Sequence, residues 1–138
     1  MKRGFTLIEL VVSISIVSIL FTLGLMSFRR VGSLEAKKDL KTIVNHIKFA
    51  RNMAISKKSQ SQVYFSRDNS YEITCADYKE SFHYNNKLQF LNTRDVKLTF
   101  TIKGVSSADT SQTLYFKIKD KIYEITVEPI TGKVNLKI

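Results

Sequence analysis

One carboxylate in this sequence stands where a carboxylate is hard to keep. Glu9 lies within Thr6-Leu7-Ile8-Glu9-Leu10, at the head of a run from Leu10 to Met26 that holds no charge and no proline. A charged group near one end of a membrane-length apolar helix is strongly destabilising unless it is paired, neutral or within reach of the interface. Its chemistry is therefore electrostatic, and what it asks for is a cation. Other reactive residue types are sparse. Cys75 is the only cysteine, His46 and His83 stand far apart without ligand spacing, and the acidic residues are scattered singly. A structural or catalytic metal needs three or four convergent ligands. Nucleophilic catalysis needs a nucleophile beside a base. Neither set of parts is present, nor is a glycine-rich phosphate loop or a Gly-x-Ser-x-Gly motif. The sequence reads as a non-enzyme, with no metal and no cofactor.

Glu9 must be positioned by a helix. Ser13, Ser15, Ser18 and Thr22 are the hydroxyl-bearing interruptions of the apolar run, and each can bond back to a helix carbonyl four residues earlier. From Phe5 to Phe28 such a helix reaches roughly 36 Å, enough for a hydrocarbon core about 30 Å thick. Lys2 and Arg3 on one side face Arg29 and Arg30 on the other, so charge alone orients the span weakly. Beyond Phe28 the pattern turns one-sided. Gly32 and Ser33 are expected to loosen a turn, with Ser33 capping a restarted helix from Leu34 to about Lys57. Leu40, Ile43, Val44, Ile47, Ala50, Ala54 and Ile55 then trace a buried face at steps of three or four.

From Ser59 the period changes to two, the mark of strands. Gln62–Ser66 and Tyr71–Cys75 flank a polar turn, and Cys75 reads as a buried strand thiol. Asp95–Lys103 alternates as a half-buried strand. Thr113–Lys119 and Lys121–Val127 form a hairpin, and Pro129–Gly132 turns the chain into a last strand, Lys133–Ile138. Short strands are expected between Asp77 and Thr93, and a mobile loop from Gly104 to Ser111. The fold class is α+β, one long N-terminal helix on a C-terminal antiparallel sheet.

The opening residues carry a resemblance. Lys2-Arg3-Gly4, then Phe5-Thr6-Leu7-Ile8-Glu9-Leu10 and an apolar helix, resembles the processing site of type IV pilins and type II secretion pseudopilins. The resemblance implies a prepilin leader at 1–4, cut between Gly4 and Phe5 by a prepilin peptidase that methylates the new amine of Phe5. It implies an assembly helix at 5–28 and a pilin-like globular domain at 29–138. In that family the carboxylate at the position of Glu9 neutralises the N-terminal amine of a neighbouring subunit. The implied partners are other pilins or pseudopilins, the peptidase, an inner-membrane assembly platform and cytoplasmic membrane lipid. The implied location is the cytoplasmic membrane, single-pass, with the C-terminal domain outside the cytoplasm, and later the filament. Ala50-Arg51-Asn52-Met53-Ala54-Ile55 and Ile125-Thr126-Val127-Glu128-Pro129-Ile130-Thr131-Gly132-Lys133-Val134 further resemble H-type minor pseudopilins. A lone cysteine excludes the disulfide loop described for many major pilins and leans towards a minor subunit.

Charge leaves a second function open. The chain carries +10 at 43% hydrophobic residues, and loss of Lys2 and Arg3 with the leader leaves +8. Such a balance suits phosphate, anionic lipid or an acidic partner. Lys117, Lys119, Lys121, Lys133 and Lys137, with Tyr115 and Tyr123 nearby, make DNA the alternative partner, as in a competence or DNA-uptake apparatus. Against it, lysines alternating with apolar residues are also the ordinary solvated face of strands.

Overall fold

A computed structural model describes residues 6–108 and 110–137, the side chains of 24–32 excepted. Helix α1 (Leu7–Ser56) is followed by β1 (Ser61–Phe65), β2 (Ser70–Cys75), β3 (Tyr78–His83), β4 (Leu88–Phe90), β5 (Val96–Phe100), β6 (Gln112–Ile118), β7 (Lys121–Val127) and β8 (Val134–Lys137). The chain divides into two compact units between Leu34 and Glu35.

In the first unit the apolar side chains from Leu7 to Leu23 stand exposed all round. The four hydroxyls among them are satisfied within the helix: Ser13 donates to the Glu9 carbonyl, Ser15 to Val11, Ser18 to Ile14 and Thr22 to Ser18, all at 2.7–2.8 Å. Among the described residues no helix is long and apolar enough to cross a membrane. The stretch from Leu7 to Leu23 covers roughly 25 Å. The remaining part of the expected span, up to residue 28, lies outside the described side chains. The break expected at Gly32-Ser33 does not occur, and α1 continues through both residues. A single glycine costs a helix only about 1 kcal/mol relative to alanine, too little to end one.

In the second unit one face of α1 is sealed. Ala36, Leu40, Ile43, Ile47, Ala50 and Ala54 recur at steps of four and three, with Val44 and Met53 beside them, and all are buried. Ile55 departs from the expected stripe and is exposed, because the helix closes one residue later. Lys58 takes a left-handed φ of 46°, and the amides of Lys58 and Ser59 return to the carbonyls of Ile55 and Ala54. This is a Schellman stop in which lysine sits where glycine usually does. Immediately beyond, the buried Ser61 hydroxyl donates to the Ala50 carbonyl at 2.7 Å and ties β1 to the helix.

The expected antiparallel sheet is two four-stranded sheets, ordered β3-β2-β1-β5 and β4-β6-β7-β8. Register follows the apolar alternation: Val63 stands between Ile73 and Leu98, and Phe116 between Phe90 and Tyr123. A one-residue slip would send these side chains to the solvent face. Aromatic rings join the sheets, since Phe65 of the first lies edge-on to Phe116 of the second at 6.3 Å and stacks on Tyr71 at 5.2 Å. Cys75 is free and fully buried.

The strand expected over Asp95–Lys103 stops at Phe100. Thr101–Gly104 folds into a turn, with the Gly104 amide on the Thr101 carbonyl at 2.8 Å, and Ile102 is thereby turned outward. The loop after it is fastened at its start rather than loose. Thr101 donates to Val105, Ser107 donates to Thr99, and Ser106 is buried.

Two turns from distant parts of the chain meet here. Gly132 has a φ of +60°, and a Cβ built on it would fall 2.1 Å from the Gly104 carbonyl oxygen. Gly132→Ala is therefore expected to destabilise the fold by about 2 kcal/mol or more, from combined backbone strain and overlap. Urea unfolding of the full chain in detergent would measure it; an unchanged midpoint would show that this approach is not a constraint.

Candidate functional site

Gly4 and Phe5 lie outside the described residues. Thr6 and Glu9 do not, and they form a reciprocal cap on α1. The Glu9 carboxylate accepts both the Thr6 amide and the Thr6 hydroxyl at 2.8 Å, and the Thr6 hydroxyl oxygen faces the Glu9 amide at 3.4 Å. Thr6 is the N-cap and Glu9 the third helical residue, the Thr-x-x-Glu capping box. A cleft of about 340 Å³ opens beside it, lined by Ile8, Glu9, Val12 and Ser13. Among the described residues Glu9 thus has hydrogen-bond donors but no counter-ion. The helix N-terminus adds partial positive charge, yet a full charge in apolar surroundings still calls for a full opposite charge.

Sequence reasoning identified Glu9 and passed over Thr6. The signal was present as a threonine three residues ahead of a glutamate, immediately before an apolar run.

The lysines singled out for nucleic-acid contact are spread over the second sheet. Lys117 and Lys137 belong to its outward face, where Lys137 pairs in register with Glu124. Lys119 and Lys121 sit at the β6–β7 turn, and Lys133 lies beyond the opposite end of β7, roughly 20 Å of strand away. Tyr115 shares the outward face, but Tyr123 is buried in the core and offers no stacking surface.

Lys133 has other company. A cavity of about 430 Å³ is lined by Lys48, Arg51 and Asn52 of α1 and by the turn that carries Lys133. Arg51 donates from Nε to the Gly104 carbonyl at 2.9 Å and from an Nη to the Thr131 carbonyl at 3.1 Å. The Ala50–Ile55 stretch and the Ile125–Val134 stretch, noted separately in the sequence, are joined by this one guanidinium. Nearby, Glu128 accepts from Thr131 at 2.7 Å and Asn135 at 2.8 Å. Those bonds, with the charge of Lys133 behind them, hold its carboxyl below the usual range.

Among the described residues no group of His, Cys, Asp and Glu that could hold a metal is found. His46 is a packing residue. Its Nδ1 lies 2.7 Å from the Tyr71 hydroxyl, and its ring lies 4.3 Å from that of Phe82. Burial pushes its pKa down, opposed by Glu80.

Residues 1–25 match a family model described as the prokaryotic N-terminal methylation motif. A comparison with curated protein sequences gives no match. Two crystal structures of the type IV minor pilin FimU of Pseudomonas aeruginosa strain PAO1 are similar. In space group P65 the TM-score is 0.61 at 16% identity, over 74% of this chain and 92% of that chain. In space group P21 it is 0.63 at 16% identity, over 75% and 89%.

Two outcomes are expected. Thr6→Ala removes the cap and frees the first turn, by about 1 kcal/mol. Amide exchange in detergent should accelerate at Leu7–Leu10 and stay unchanged at Ile43–Ile47; equal protection in both proteins would refute the cap. His46, with its folded pKa lowered, favours folding fully above its ordinary value near 6.5 and loses that contribution as pH falls through the lowered one. Stability should therefore decline below about pH 6.5, and His46→Gln should flatten the decline in urea titrations at several pH values. An identical slope in the variant would assign it to other groups. In sum, this chain has the type IV pilin fold behind a prokaryotic N-terminal methylation motif.

Proposed function

We propose that this chain is a member of the type IV pilin and pseudopilin family and acts as a minor, structural subunit of a pilus or pseudopilus. The observation that carries the reading is a conjunction. A methylation motif occupies residues 1–25, the remainder takes the fold of a minor pilin, and the one acidic side chain of the apolar segment stands in the first turn of the helix. Each feature alone has other uses. Together they describe a subunit that is processed, held in a membrane and then built into a filament.

In this reading prepilin peptidase cuts between Gly4 and Phe5 and methylates Phe5. The helix from residue 5 to residue 28 holds the subunit in the cytoplasmic membrane by a single pass, with the globular domain outside the cytoplasm. Assembly moves that helix from lipid into a bundle of like helices. Both surroundings are dry, so little hydrophobic stabilisation is lost. Selectivity then falls to Glu9, whose carboxylate meets the amine of a neighbouring subunit. Each charge offsets most of the other's desolvation penalty. The capping box supports this, because Thr6 keeps the carboxylate at the helix start. The subunit is a substrate of the peptidase and not itself a catalyst, with other pilins and an inner-membrane assembly platform as partners.

The resemblance of the Ala50–Ile55 and Ile125–Val134 stretches to H-type minor pseudopilins is the support for placing the chain with them. The DNA-uptake reading falls behind, since Lys133 lies at the opposite end of β7 from Lys119 and Lys121 and Tyr123 is buried.

Gly4→Val is expected to abolish cleavage, leaving the basic leader attached in intact-mass measurements of the cellular protein. Glu9→Ala is expected to leave cleavage intact while lowering the amount in sheared filaments at least tenfold by immunoblot. Normal assembly of the Glu9→Ala protein would overturn the proposed mechanism.

A further inference from the structure

We infer that the end of the globular unit where α1 stops is a docking surface for a protein segment that presents carboxylates among apolar side chains. Three cations line the cavity there, Lys48, Arg51 and Lys133. Among the described residues none of them is in a close ion pair such as Lys79 makes with Glu72 at 3.3 Å, although the charge of Lys133 is felt by Glu128. Arg51 spends one Nε and one Nη hydrogen on the carbonyls of Gly104 and Thr131. Of its five N–H donors, the remaining Nη hydrogens are left for an oxyanion, and a planar guanidinium takes a carboxylate in two parallel bonds. Glu128, the nearby acid, is occupied by Thr131 and Asn135 and does not line the cavity.

Beside the cations stand aliphatic side chains that the fold leaves partly or largely exposed. Ile130 is 82% exposed, Ile102 54% and Ile55 43%. They belong to one locality. Ile55 lies against Gly104, two residues beyond Ile102, and Gly104 lies against Gly132, two residues beyond Ile130. Turn tips are normally polar, so branched aliphatics on two adjoining turns are not accounted for by folding. The mixture selects the occupant. A phosphodiester chain would use the cations and gain from aromatic faces, of which this locality presents none. An acidic protein segment with apolar neighbours uses both halves of the surface, and central apolar contacts ringed by charge pairs are the usual anatomy of a protein interface. This inference does not depend on the filament reading.

The test is site-specific photocrosslinking in producing cells, with a photoreactive phenylalanine replacing Ile130 in the full chain and the crosslinked peptide identified by mass spectrometry. The expected product is a protein segment with carboxylates within a few residues of the linkage. Lys133→Glu should lower its yield at least tenfold, whereas Lys87→Glu, on a different turn, should leave it unchanged. Crosslinks to nucleic acid or lipid, no crosslink at all, or a yield indifferent to Lys133→Glu would each overturn the inference. Leader cleavage, scored by mass in the same cells, reports on the proposed pilin function separately.

Discussion

One helical stripe closes this molecule. Ala36, Leu40, Ile43, Ile47, Ala50 and Ala54 form a continuous apolar line, and the inward faces of both sheets belong to the same buried cluster. Neither sheet can cover itself, because four strands with one apolar face need something to lie against it. The chain has a single cysteine, so no disulfide is available to restrain the unfolded state. Burial must do the work instead, at about 1.5–3 kcal/mol for each fully enclosed large aliphatic or aromatic side chain. The stripe mixes small with large residues, and the largest fully buried side chains of the sheets are Phe65, Phe100 and Phe116.

The helix obeys different rules in the two units. From Leu7 to Leu23 its described apolar side chains stand exposed, and its hydroxyls turn inward to backbone carbonyls. That arrangement suits surroundings in which water is not available to satisfy them. Glu9 is the exception, held by hydrogen bonds from Thr6 but without a counter-charge among the described residues. A satisfied yet uncompensated carboxylate has the energetic character of an unfinished contact, which is why the proposed intersubunit pairing rests on it.

A second organising contact is the Arg51 guanidinium. It joins the helix to two turns that are far apart in sequence, and its hydrogen bonds end on carbonyl oxygens rather than on carboxylates. Its charge is therefore undiminished where Lys48 and Lys133 also stand. The closeness of Gly104 and Gly132 is the steric counterpart, since a side chain at Gly132 would strike the Gly104 backbone carbonyl.

Much of this was legible from residue order. The helical stripe, the hairpin of Gln62–Cys75, the β6–β7 pair and the final strand all follow from local periodicity, because period 3.6 and period 2 are properties of neighbouring residues. The significance of Glu9 was equally local, a charge among apolar neighbours. What could not be read locally was long-range. Division into two sheets depends on which strands pair across 26 to 39 residues of chain. Closure of the helix at Lys58 depends on a left-handed residue that is not glycine. The scattering of the lysines follows from the length of β7, and the meeting of Arg51, Gly104 and Thr131 from loops that approach only after the core has formed. Sequence determined which surfaces must be buried and which charge must be answered. Tertiary structure decided which turns meet, because contact between distant turns is set by how strands of fixed length and register leave the core, and no local pattern encodes that distance.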